Sequence, residues 1–72
     1  MVPKDNEKLL TIEEEQKAEA ERLKTEANIF FKKESYNKAI ELYTAAINLN
    51  PNEPSYYGNR SFAFLKTELY GA

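Results

Sequence analysis

Residues 20–51 read AERLKTEANIFFKKESYNKAIELYTAAINLNP, and the spacing of their apolar side chains decides the fold. Ala20, Leu23, Ala27, Phe30 and Phe31 recur every three or four residues, the period of one helix face. Ala39, Ile40, Tyr43, Ala46 and Ile47 repeat that period, with Leu42 and Leu49 widening the face. Between the two runs, Ser35-Tyr36-Asn37 predicts a turn in which Ser or Asn caps the second helix. Asn50-Pro51-Asn52-Glu53-Pro54 stops that helix, because proline disfavours α backbone in the residue before it. The stretch therefore predicts two antiparallel helices with a short joint.

Working towards the N-terminus, Thr11 and Glu14 form a capping box, each side chain satisfying a free backbone N–H of the other. Glu13, Glu14 and Glu15 fall in the first turn, where the helix dipole favours negative charge. Residues 12–34 hold no Gly or Pro and are rich in Ala, Glu and Lys, all good helix formers. The part before Ala18 is nearly all polar and reads as a solvated extension of the first helix. Residues 1–10 read as a frayed arm. Towards the C-terminus, Pro54 or Ser55 starts a third helix that runs to about Leu69, with Gly71 ending the pattern. Tyr57, Ser61, Phe64 and Leu65 are its expected buried stripe, and the aromatics Tyr56, Tyr57, Phe62 and Phe64 are expected in the core. The fold class is all-α, in three helices.

Composition removes most chemistry. The chain has 72 residues, with 10 Lys+Arg against 12 Asp+Glu for a net charge of -2, and it lacks Cys, His and Trp. There is thus no thiol nucleophile, imidazole base or usual zinc ligand set, and the expectation is no catalysis, no metal and no cofactor. Ser35, Ser55 and Ser61 have no base partner in the sequence. Excess negative charge argues against a nucleic-acid partner, since such binding rests on phosphate neutralisation by Lys and Arg. No apolar run approaches the roughly 18 residues of a membrane span. No apolar segment follows the charged first eight residues, so no secretory signal is expected. The expected location is the cytoplasm, or cytoplasm and nucleus. Asn59-Arg60-Ser61 matches a glycosylation sequon, but it falls mid-helix and carries no weight here.

A hairpin followed by a Pro-marked joint and a third helix invites a test for repeats. Shifted by 34 residues, Phe30 meets Phe64, Lys32 meets Lys66, Glu34 meets Glu68 and Tyr36 meets Tyr70. Leu23 meets Tyr57, Phe31 meets Leu65, and small Ala27 meets small Ser61. With Leu23, Ala27 and Phe30 on the first helix, Ala39, Tyr43 and Ala46 on the second, and Pro51 closing the unit, the chain resembles the tetratricopeptide repeat family. The Trp and Gly often found on the family's first helix are replaced by Leu23 and Ala27. The resemblance covers residues 20–72 as about one and a half repeats: an arm and helical extension at 1–19, one repeat at 20–53, and the first helix of an incomplete second repeat at 54–72.

The resemblance implies a function. Co-chaperone members of the family use a carboxylate clamp for the acidic C-terminal tail of the ninety-kilodalton heat-shock chaperone, and in phosphatase-linked members the domain also restrains the phosphatase. The clamp residues map to Lys24, Asn28 and Asn59, and Lys66 matches a basic position that also faces the groove. Spacing agrees, since Lys24 and Asn28 are i and i+4, and Asn59 and Lys66 are i and i+7. Lys donates charge-assisted hydrogen bonds to carboxylates, and Asn donates and accepts. Spacing alone leaves the ordinary alternative of solvated helix residues open. The family's third repeat supplies two further basic residues beyond this stretch, so weak tail binding is expected. Phe62, Phe64, Leu65 and Tyr70 form an apolar set with no fourth helix to cover them, which points to self-association. A structural or oligomerising helical unit without peptide binding is therefore the second reading.

Overall fold

Thr11 opens the first helix as its sequence dictates. Its hydroxyl accepts from the Glu14 N–H at 3.0 Å, and its own N–H donates to the Glu14 carboxylate at 3.0 Å. The computed structural model describes residues 11–71, so the expected arm at residues 1–10 lies outside the described residues. Three helices follow: α1 (Ile12–Lys32), α2 (Tyr36–Leu49) and α3 (Pro54–Tyr70). Residues 11–19 are all exposed within or just before α1, matching the expected solvated extension.

The two joints use different chemistry. After α1 the Glu34 N–H donates to the Phe31 carbonyl and the Ser35 N–H to the Phe30 carbonyl, both at 2.9 Å. Glu34 sits between them at φ 65. This is a Schellman closure with a glutamate in the left-handed position that glycine usually fills. Ser35 occupies the N-cap of α2, but its side chain makes no capping bond. Its ψ of 72 departs from the extended backbone that points a cap hydroxyl at the next turn. After α2, Glu53 is extended and Pro54 begins α3, where its missing N–H costs nothing. The Tyr57 hydroxyl donates to the Pro51 carbonyl at 2.9 Å and ties α3 to this joint.

Contacts between helices give their directions. Ala20 clusters with Ala46 and Ile47, and Ala27 with Ala39 and Tyr43, so α1 and α2 are antiparallel. Tyr56 joins the first cluster and Ala63 the second, so α3 runs antiparallel to α2 and parallel to α1. Each layer of the core draws on all three helices. Ala20, Ala27, Ala39, Ala46 and Ala63 are fully buried, while Tyr43 and Tyr56 are the largest side chains buried among them. The alanines let the helix axes approach and the tyrosines fill the space that remains. Leu23, Phe30 and Phe31 of α1 pack against these layers from their edges.

The expected stripe on α3 is corrected by the structure. The buried residues are Tyr56 and Ala63. Tyr57, Phe64 and Leu65 are 40%, 49% and 46% exposed, and Ser61 is exposed too. Of the four aromatics expected in the core, only Tyr56 is buried. The cause is one of phase. α3 meets α2 through the side carrying Tyr56 and Ala63, and a step of one residue turns a helix by about 100°. The apolar stripe read from the sequence is real, but it faces away from the hairpin. Among the described residues no helix is long and apolar enough to cross a membrane.

Candidate functional site: a groove between the first and third helices

Because α1 and α3 run parallel on one side of α2, their facing polar residues line a groove. Asn28 from α1 and Asn59 from α3 meet there, with Asn59 Nδ2 3.5 Å from Asn28 Oδ1. The Tyr43 hydroxyl, reaching through from α2, also donates to Asn28 Oδ1. Tyr43 is 2% exposed, and burial raises its phenol above the usual value, so it remains a donor. Both lone pairs of the Asn28 oxygen are thus engaged from within the fold. The Asn28 Nδ2 amide, a donor only, makes no side-chain hydrogen bond among the described residues.

A cavity of about 330 Å³ opens at this point, lined by Asn28, Phe31, Lys32, Tyr43, Asn59 and Phe62. No carboxylate is among its lining residues. The Phe31 and Phe62 rings stack within its lining, with centroids 5.5 Å apart. Such a surface offers a cation, amide donors and an apolar shelf, the complement of a carboxylate next to an apolar group.

The structure brings together only part of the set expected from sequence. Asn28 and Asn59 are neighbours in the cavity. Lys24 lies one turn towards the start of α1 and outside the cavity lining, its ammonium 3.1 Å from the Glu21 carboxylate. Lys66 lies past the other end, over the rings of Phe62 and Tyr70 at 5.3 and 5.4 Å. There it lines a second cavity of about 440 Å³ with Glu34, Tyr36, Tyr70 and Gly71. Sequence reading missed Lys32, which follows Lys24 and Asn28 at i+8 and i+4 and so continues their face. It also missed the Tyr43 hydroxyl, since Tyr43 reads as core and its ring is core.

One further polar cluster joins the groove's helices. Glu21 of α1 accepts from the hydroxyl of buried Tyr56 at 2.7 Å with one oxygen and pairs with Lys24 through the other. The Tyr56 bond and the Lys24 bond hold the Glu21 carboxyl below its ordinary range. Burial, reinforced by that carboxylate, raises the Tyr56 phenol.

Comparison with known proteins agrees with this architecture. The family model for the TPR repeat matches residues 27–67. Serine/threonine-protein phosphatase 5 of Homo sapiens is 58% identical over 52 residues, covering 72% of this chain and 10% of that protein. E3 ubiquitin-protein ligase CHIP of Arabidopsis thaliana is 51% identical over 49 residues, 68% of this chain and 18% of that protein. Small glutamine-rich tetratricopeptide repeat-containing protein alpha of Rattus norvegicus is 51% identical over 53 residues, 74% of this chain and 17% of that protein. The chain thus spans between a tenth and a fifth of the length of these relatives. No solved structure gives a significant match. With the repeat model matched over more than half its length and the helical hairpin in place, the chain belongs to the tetratricopeptide repeat family and is a protein-interaction module of that kind.

Proposed function

We propose that the groove between α1 and α3 binds the acidic C-terminal tail of a heat-shock chaperone of the ninety-kilodalton class, in the cytoplasm. The observation that carries this reading is the locked Asn28 amide. With its oxygen held by Tyr43 and Asn59, the groove presents donors and a lysine to an incoming ligand and no acceptor from Asn28. A terminal carboxylate is the simplest ligand to satisfy such a surface. Lys24 and Lys66 stand at the two ends of the groove as partners for flanking acidic side chains. The likeness to phosphatase 5, in which this segment is a small part of a larger protein, supports a recruiting role and, in a longer chain, a regulatory one.

The test is a calorimetric titration with a peptide ending in Glu-Glu-Val-Asp, with a free or an amidated C-terminus. The free acid binds and the amide does not. Asn59→Ala weakens the free acid about 10- to 100-fold, the value of a hydrogen bond to a charged group. Equal binding of acid and amide, or binding of neither, overturns the reading.

The outer face of α3 favours a second reading, self-association. Tyr57, Phe64, Leu65 and Leu69 are exposed there at helical spacing. Tyr57, Phe64 and Leu65 match, 34 residues on, the Leu23, Phe30 and Phe31 that α1 packs against the core. A second copy presenting the same stripe gives a two-fold pairing of α3 with α3. Light scattering over a concentration series then shows a dimer that Leu65→Lys dissociates. A monomer at high micromolar concentration refutes it.

A further inference from the structure

Lys24, the cation at one end of the groove, is already engaged by the chain's own carboxylate. Glu21 lies 3.1 Å from its ammonium. An exposed i,i+3 pair on a single helix is ordinarily weak and mobile. This pair differs in two respects. The Lys24 side chain is only 25% exposed, against 61% for Arg22 and 52% for Lys38 in the other ion pairs of the described residues. Glu21 is also held from a second helix, because buried Tyr56 on α3 donates to its other oxygen at 2.7 Å. The carboxylate is therefore held from α1 and α3 at once.

We propose that Glu21 is an internal competitor for Lys24, a built-in carboxylate that sets how tightly the groove takes an anionic ligand. This rests on the reading that the groove binds an acidic tail. A ligand carboxylate reaching Lys24 must share the ammonium with Glu21, and the two like charges then lie roughly 6 Å apart. Repulsion at that distance, in the partly solvated setting of the groove, lowers affinity about three- to tenfold. Tyr56 is a positioning residue in this arrangement, since it keeps Glu21 on the lysine and stops it turning to solvent.

Glu21→Gln isolates the charge. Glutamine keeps an acceptor for Tyr56 and has a helix propensity close to that of glutamate, at a half-exposed position, so the fold is retained and circular dichroism verifies it. The full chain, wild type and Glu21→Gln, is titrated with the free-acid peptide ending in Glu-Glu-Val-Asp at several salt concentrations. The variant binds about three- to tenfold tighter, and its affinity falls more steeply with salt because the groove has gained one net positive charge. Lys24→Ala, made in both backgrounds, weakens binding more in the Glu21→Gln background than in wild type, which a merely structural Glu21 does not produce. If wild type binds and the variant binds no tighter, or if Lys24→Ala costs the same in both, the competitor role is overturned and the groove reading stands. If neither protein binds the peptide, the groove reading falls and the competitor role falls with it.

Discussion

The chain writes nearly the same helix twice and uses it in two ways. Leu23, Ala27, Phe30 and Phe31 on α1 correspond, 34 residues on, to Tyr57, Ser61, Phe64 and Leu65 on α3. On α1 the small residue is fully buried and the large ones pack at the edges of the two core layers. On α3 the same positions are exposed, and the helix is held by a different face, through Tyr56 and Ala63. An amphipathic pattern thus states what kind of surface a helix carries. Whether that surface is covered depends on which helix lies beside it, because each repeat buries its face only against a neighbour.

The sharpest way to break this comparison is to make one substitution at both matched positions. Ala27→Leu forces a large side chain into the contact of α1 with α2 and α3, where Ala27 clusters with Ala39, Tyr43 and Ala63. Overpacking of this kind costs about 1–3 kcal/mol. A core this small supplies only about 3–5 kcal/mol in all, so urea unfolding should show most of the stability gone. Ser61→Leu adds the same side chain to an exposed position and shifts stability by less than about 0.5 kcal/mol. Equal effects at the two sites would mean that the α3 stripe is covered in solution.

A smaller effect probes the face that does hold α3. Tyr56→Phe removes the hydroxyl that bonds Glu21 and costs about 1 kcal/mol at pH 7. Its pH dependence follows from the direction of the shifts. The Glu21 carboxyl is depressed, so its contribution is present above the ordinary value of 4.5 and is lost as pH falls through the lowered one. The Tyr56 phenol is raised, so its contribution is present below the ordinary value of 10.0 and is lost as pH rises through the raised one. Wild type and variant should therefore differ most near neutrality and converge towards both extremes. A gap that stays constant in acid would separate Tyr56 from Glu21.

The helices and the second joint were legible because their signals are local, whereas the first joint closes at Glu34 and leaves Tyr36 and Asn37, expected in the turn, inside α2. The Thr11–Glu14 box, the Pro51–Pro54 stop and the 3.6-residue period each depend on a few neighbouring residues. The phase of α3 was not legible, since two apolar faces compete on it and only the packing of α2 selects one. At the site, Asn28 and Asn59 were named by the family resemblance, with spacing along one helix silent on their pairing, and the structure brings them together. The roles of Tyr43 and Glu21 depend on contacts spanning 15 and 35 residues, which periodicity along one helix does not report.

The finest contrast between the two copies lies at Glu34 and Glu68, matched residues of one type in opposite backbone states. Glu34 closes α1 at φ 65, a conformation in which a β-carbon crowds the backbone. Its side chain is exposed, so replacing it removes strain and little else. Glu34→Gly should stabilise the chain by about 0.5–1 kcal/mol, reduced somewhat by the greater freedom that glycine gives the unfolded state. Glu68 is exposed too, but it lies inside α3, where glycine costs about 0.5–1 kcal/mol through lost helix propensity. One substitution at two equivalent positions thus carries opposite signs. Urea midpoints should move up for Glu34→Gly and down for Glu68→Gly, with unchanged slopes. A downward shift at Glu34 would mean that the joint is not left-handed in solution and that α1 continues past Lys33. The turn that places α2 behind the groove would then rest on the packing of Ala27, Ala39 and Tyr43 and not on the backbone of the joint itself.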